Sequence, residues 1–167
     1  MGKNTLHNPP TYKIIKGKEE DLEDIVKLWV EIIEWHATID SNFLLDIEGK
    51  ENFTTMLHNA LNDSSQVVYV AKEEDTLIGF LYGYIKNLSG FFMHRIVAHI
   101  SDIAVLIEHR RKGIGTALIN KFQKDIALKF KATDITLYVH VNNTDAIDFY
   151  HNLGFNDRLL TMERKTE

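Results

Sequence analysis

A chain of 167 residues with a net charge of −5, 44% hydrophobic and 26% charged residues has the composition of one ordinary globular domain, not of a disordered or fibrous protein. The acidic balance argues against nucleic acid or an anionic membrane as the main partner, because both select basic surfaces. With no cysteine, disulfides, zinc–thiolate sites, iron–sulfur clusters and a thiol nucleophile are all excluded.

Residues 1–10 read as a polar tail, closed by Pro9 and Pro10. The first residues carry no apolar signal-peptide stretch, and Leu6 stands where a myristoylation pattern needs Ser or Thr. No apolar run approaches the ~20 residues of a membrane span, so a cytoplasmic location is expected. Residues 11–167 read as a single domain.

That domain opens with a short strand over 12–15. The acidic turn Glu19, Glu20, Asp21 then leads into an amphipathic helix, with Leu22, Ile25, Val26, Trp29, Ile32, Ile33 and His36 at helical spacing. Phe53, Met56, Leu57, Ala60 and Leu61 predict a second helix, ended by Asn62, Asp63, Ser64 and Ser65. Strands are predicted over 66–71 and 77–85, joined by a hairpin at Glu73, Glu74 and Asp75, and a long strand over 95–105 follows. A helix carrying Ile114, Ala117, Leu118, Phe122, Ile126, Ala127 and Phe130 comes next, then a strand over 135–141, a short helix over 146–153 and a last strand over 158–162. The expected class is a mixed α/β sheet of six to seven strands flanked by about four helices.

The chemistry concentrates where the long strand ends. Arg110, Arg111, Lys112, Gly113, Ile114, Gly115 and Thr116 combine three cations, two glycines and a helix N-terminus. Outward unpaired N–H groups, backbone that a ligand can approach and positive charge together make a cradle for a pyrophosphate. The spacing matches neither a P-loop nor a three-glycine dinucleotide fingerprint.

This loop resembles the GNAT superfamily of acyl-CoA-dependent N-acetyltransferases, whose form is Gln or Arg, two residues, Gly, one residue, Gly or Ala. A second segment, Asn143-Thr144-Asp145-Ala146 with Phe149-Tyr150 and Leu153-Gly154-Phe155, is similar to that superfamily's Asn-x-x-Ala, Phe-Tyr and Leu-Gly-Phe run. The resemblance implies acetyl-CoA as acetyl donor in an opening between splayed central strands. Its thioester would lie near Ile103, Ala104 and Val105 and its pyrophosphate on residues 110–116, with Thr116, Asn143 and Phe149 also on the cofactor. Asn143 serves equally well as a helix N-cap. The backbone N–H of Val105 is the type of donor that a developing oxyanion needs, and Tyr150 matches the tyrosine that protonates the departing thiolate.

The resemblance further implies transfer to a primary amine in a ternary complex. An alkyl ammonium with a pKa near 10.4 is about 4 to 5 kcal/mol short of its free base at pH 7, so a base or a water chain must take a proton. The superfamily's usual Glu is missing, and the strand offers His99, Ser101 and Asp102 instead. His99 and Ser101 share one strand face, and Asp102 faces the other unless a bulge intervenes. His99, Asp102 and a water relay all stand as candidates. A fold that keeps acyl-CoA binding without chemistry, or that acts on a protein N-terminus or lysine, is also compatible with these residues.

For the acceptor, the resemblance directs attention to Glu34, Trp35, His36, Asp40 and Phe43 and to Phe91, Phe92 and His94. An aromatic rim with acidic residues suits a cationic amine, although Trp35 and Phe43 are equally suited to a core. No spacing of ligands calls for a metal, and a homodimer is compatible with the architecture.

Overall fold

The computed structural model describes residues 11–89 and 93–166. In chain order they form β1 (Tyr12–Lys16), α1 (Leu22–Ile39), α2 (Gly49–Leu61), β2 (Gln66–Glu73), β3 (Thr76–Leu88), β4 (Arg95–Val105), α3 (Ile114–Phe122), β5 (Asp134–Thr136) and α4 (Thr144–Asn152). The strands make one sheet in the order β1-β2-β3-β4-β5, antiparallel throughout except for the parallel pair β4 and β5.

Both faces of this sheet are covered. On one face α1 and α2 bury Ile25, Val26, Leu28 and Leu57 against Val68, Val70, Phe80 and Tyr82. On the other, α3 and α4 pack Leu118, Phe122, Phe149 and Tyr150 against Tyr69, Leu81, Ile100 and Ile103. Strands buried on both sides need apolar residues at successive positions, which is why residues 67–71 of β2 are apolar without alternation. Each fully buried Leu, Ile or Phe contributes roughly 1.5–3 kcal/mol relative to exposure. The entry to α1 is tied down by Asp21, 3% exposed, which accepts the Lys18 backbone N–H at 2.9 Å and pairs with Lys72 of β2. α1 stops where Asp40 turns extended and its carboxylate accepts the Asn42 N–H at 2.9 Å.

Among the described residues the six-to-seven-strand expectation is corrected to five. The strand predicted over 135–141 is only three residues long, because β5 separates from β4 after Thr136 while β4 runs on to Val105. The strand predicted over 158–162 does not form. Leu159, Leu160 and Met162 are 87%, 70% and 87% exposed, and the segment beside which they would pair, 137–141, is itself not extended into a ladder. Strand propensity needs a partner edge to become a strand. The helix predicted to continue through Phe130 also breaks earlier: after Phe122 the chain widens into a π turn over Gln123–Ala127, where the Leu128 N–H reaches back five residues to the Gln123 carbonyl.

Candidate active site

Beyond its short pairing with β5, β4 has an open edge. The Leu106 N–H donates to the Ile78 carbonyl of β3 at 3.0 Å. Alternation along an extended chain therefore aims the backbone groups of Ala104 at β3 and those of Ile103 and Val105 at the open side. Arg110 corroborates this direction, since its Nε donates to the Val105 carbonyl at 3.1 Å. The N–H groups of Ile103 and Val105 thus form a row of donors ready for an extended acceptor-bearing ligand.

The loop after β4 ends at the mouth of that edge. Gly113 takes φ 81°, ψ 1° and caps α3 with no side chain, so the first N–H groups of the helix carry no side-chain partner. Arg111 also has a positive φ, 60°. Arg110, Arg111 and Lys112 are exposed and, among the described residues, none of them is ion-paired within 4 Å. Uncapped N–H groups, a helix dipole and unpaired cations fit a pyrophosphate.

Gly115 has a different role from Gly113. A Cβ built there would lie 3.0 Å from Cζ of Phe149, so this glycine admits the α4 ring against the first turn of α3. Phe149 therefore props α4 on the loop, and Tyr150 follows next to it, its ring packed against Phe149 and Phe155. Burial pushes the Tyr150 phenol up to about 12, which keeps it protonated at neutral pH. Asn143 is the N-cap of α4, its Oδ1 accepting the Ala146 N–H at 3.3 Å, which leaves its amide N–H groups for any further contact. Thr116 lies half-buried in the first turn of α3.

On the opposite face the decisive feature is a bulge. The β3–β4 register passes from Tyr82 opposite Asp102 to Gly83 opposite Ile100, leaving Ser101 as the extra residue. Gly83 permits it, since a Cβ there would meet the His99 carbonyl at 2.8 Å and the Phe122 ring at 2.7 Å. The bulge flips the parity of the strand, so Asp102, opposite Tyr82, shares a face with His99, opposite Tyr84. Both now look toward α1.

His99 is 3% exposed, bonded through Nδ1 to the Thr136 hydroxyl at 3.0 Å and set edge-on to Tyr84 and Tyr138. Burial, with the Lys86 charge adding to it, holds its pKa down to about 4, so it is neutral at physiological pH. Asp102 accepts the indole N–H of Trp29 at 3.0 Å; burial raises its pKa, while hydrogen bonds from Ser101 and Trp29 oppose the rise. The Trp29 ring is in turn stacked on Phe53 at 4.0 Å. Trp29 is thus a positioning residue that periodicity alone marks only as core.

The end of α1 and the segment after β5 close this side. His36 gives its Nδ1 to the Ile32 carbonyl at 2.9 Å, leaving Nε2 unprotonated, and burial lowers its pKa. Its ring lies 5.3 Å from Phe43, which lies 6.0 Å from His140. His140 accepts the Asn142 N–H on Nδ1, so its Nε2 donates to Asp40 at 3.3 Å. His140 and Tyr138 were not singled out in the sequence, because the strand expected over 135–141 gives no reason to look there. Trp35 and Phe43 are on the surface, 46% and 36% exposed, not in the core, whereas Phe91 and Phe92 lie outside the described residues and His94 is exposed. Among the described residues no group of three potential metal ligands is assembled, and no helix is long and apolar enough to cross a membrane.

The sequence profile of the acetyltransferase (GNAT) family matches residues 29–155. An N-alpha-acetyltransferase of Saccharolobus solfataricus is 31% identical over 146 residues, 86% of this chain and 80% of that protein. One of Sulfurisphaera tokodaii is 32% identical over 101 residues, 58% of this chain, which spans 60% of that protein. The solved structure of a putative acetyl transferase from Pyrococcus furiosus superposes with a TM-score of 0.71 at 30% identity, covering 93% of this chain and 99% of that one. The profile takes in both the loop after β4 and α4, and the chain belongs to the acetyltransferase (GNAT) family and is an N-acetyltransferase.

Proposed function

We propose that this protein transfers acetyl from acetyl-CoA directly to the α-amine of a peptide or protein N-terminus, with Asp102 as the base and Tyr150 as the acid. The observation that carries this reading is the bulge at Ser101, which turns a carboxylate toward α1 only three residues before Val105. Acetyl-CoA supplies an activated acyl group with a thiol leaving group. The uncapped end of α3 and residues 110–112 hold its pyrophosphate, and the N–H groups of Ile103 and Val105 hold the extended arm and the carbonyl oxygen as it gains charge. Asp102, directly or through one water, takes the ammonium proton, and the Tyr150 phenol gives its proton to the departing sulfur.

Energetics support the choice of acceptor. Lysine is about 4 to 5 kcal/mol from its free base at pH 7, but an α-amine with a pKa of about 7.7–8.0 is only about 1 kcal/mol from it. The groups facing the cleft are weak bases: His99 at about 4 and a carboxylate with a raised pKa. Such bases suit an amine that is already half-way to neutral. The N-alpha-acetyltransferase relatives point the same way.

The test is thiol release from acetyl-CoA with N-terminal peptides, the same peptides blocked at the α-amine but carrying lysine, and small polyamines and amino sugars. The protein has no cysteine, so it is silent in that assay. Release with free α-amines alone is expected; equal release with blocked lysine peptides would refute the reading.

A further inference from the structure

We infer that Lys86 selects the acceptor by pairing with a carboxylate on the second residue of the peptide whose α-amine is acetylated. This rests on the acceptor reading above.

Lys86 lies on β3 opposite Val97, two positions beyond Tyr84 and four beyond Tyr82. By strand alternation its side chain leaves the sheet on the face of Tyr82 and Tyr84, which is the face of Asp102 and His99. There its ammonium rests 5.2 Å from the centre of the Tyr84 ring and 5.4 Å from that of Tyr138. Among the described residues no carboxylate lies within 4 Å of it, whereas Lys18, Lys27, Lys72 and Lys121 are all ion-paired. A half-buried cation whose nearest company is two aromatic rings has a small cation–π gain, about 0.5–1 kcal/mol when exposed, and unused charge. Its neighbour His99 is neutral and offers a carboxylate nothing to compete with.

The spacing fits a dipeptide. Four strand residues separate Lys86 from Tyr82, the partner of Asp102, or about 13 Å at about 3.3 Å per residue. Lys86 rests over the Tyr84 ring, which stands between it and Tyr82 on the strand, so its ammonium lies on the Asp102 side of its own strand position. An extended peptide rising about 3.3–3.6 Å per residue with its α-amine at Asp102 sends its second residue toward that ammonium. Tyr138, 82% exposed, leaves the cleft open on this side for the chain to run out. A neutral second residue would leave Lys86 where it is, and a basic one would meet repulsion.

The experiment compares kcat/KM for peptide pairs that differ only in charge at position 2, Ser-Asp against Ser-Asn and Ser-Glu against Ser-Gln, at low and high salt. Wild type is expected to favour the acidic member by about fivefold or more, the order of a partly exposed charge pair, and less at high salt. In Lys86→Gln the ratio should fall to about one, and Lys86→Glu should invert it and favour Ser-Lys, a gain that an unfolded variant cannot deliver. Equal kcat/KM for acid and amide in wild type, or a ratio that survives in Lys86→Gln, overturns the proposal while leaving the acceptor reading intact. Turnover of small amines with no turnover of any peptide overturns the acceptor reading and this proposal with it.

Discussion

Replacing Trp29 by Phe isolates one hydrogen bond at Asp102, the proposed base. Phe keeps an aromatic ring to stack on Phe53, now 4.0 Å away, but removes the N–H that reaches Asp102 at 3.0 Å. A hydrogen bond to a charged group contributes about 1.5–3 kcal/mol; at 1.36 kcal/mol per pKa unit, its loss should raise the Asp102 pKa by about 1–2 units. The assay is the pH dependence of kcat/KM, whose acidic limb should move up by that amount while the rate on the plateau is largely retained. Stability should follow in sign. Asp102 already has a folded pKa above its unfolded value, so it favours folding most below the unfolded pKa and loses that contribution as pH rises through the folded one. Trp29→Phe widens the window, and its deficit relative to wild type in urea unfolding should be larger at pH 8 than at pH 4. An acidic limb that stays in place, or a deficit independent of pH, would refute the assignment of Asp102 as the base that Trp29 holds.

Tyr150→Phe should lower kcat by about 10²–10⁴-fold, the range of general acid–base catalysis, with calorimetric affinity for acetyl-CoA kept within about twofold; unchanged turnover removes the acid role. Gly115→Ala forces a methyl to 3.0 Å from the Phe149 ring and should cost about 1–3 kcal/mol by overpacking, with much of the loss recovered in the double variant with Phe149→Leu, as thermal unfolding would show. Lys72→Met leaves Asp21 buried without its cation and should destabilise by about 3–5 kcal/mol. Denaturant unfolding measures it, and a loss below about 1 kcal/mol would mean that the pair is not buried in solution.

The order of strands and helices up to α3 was legible because each obeys one period: 3.6 residues in α1 and α2, uninterrupted apolar runs in β2 and β3. The donor side was legible for another reason. Gly113 and the cations beside it are adjacent in the chain, so their chemistry needs no tertiary information. The acceptor side fails on both counts. His36, Asp102 and His140 come from three distant segments, and the parity of Asp102 depends on a bulge whose enabling residue, Gly83, lies on the neighbouring strand. Gly115, read as making room for a ligand, also makes room for Phe149, thirty-four positions on, a contact that no local spacing encodes. Residues 158–162 have the composition of a strand and lack only a partner edge, which composition cannot supply.

The bulge also explains how one strand serves two chemistries. In a strand continued regularly from Ile100, Asp102 would share the face of Ile100, against α3, and would meet an apolar layer. The extra residue at Ser101 reverses the parity of everything after it: Asp102 turns to the α1 face, and the N–H groups of Ile103 and Val105 turn to the open edge with the same step. The proposed base Asp102 then sits on the α1 side of the strand, the proposed acid Tyr150 on the α4 side, and the N–H groups proposed to bind the carbonyl between them at the edge. An amine attacking from the α1 side and a thiolate leaving toward α4 would not compete for the same space, so the base and the acid can each serve one partner of the tetrahedral intermediate. Deleting Ser101 would leave Asp102 opposite Tyr82 and on the α1 face, so the separation of the two halves is tested by Asp102→Asn instead: turnover should fall by about 10²–10⁴-fold while acetyl-CoA affinity survives, because only the acceptor half loses a group; loss of both together would show that the two halves are not separable.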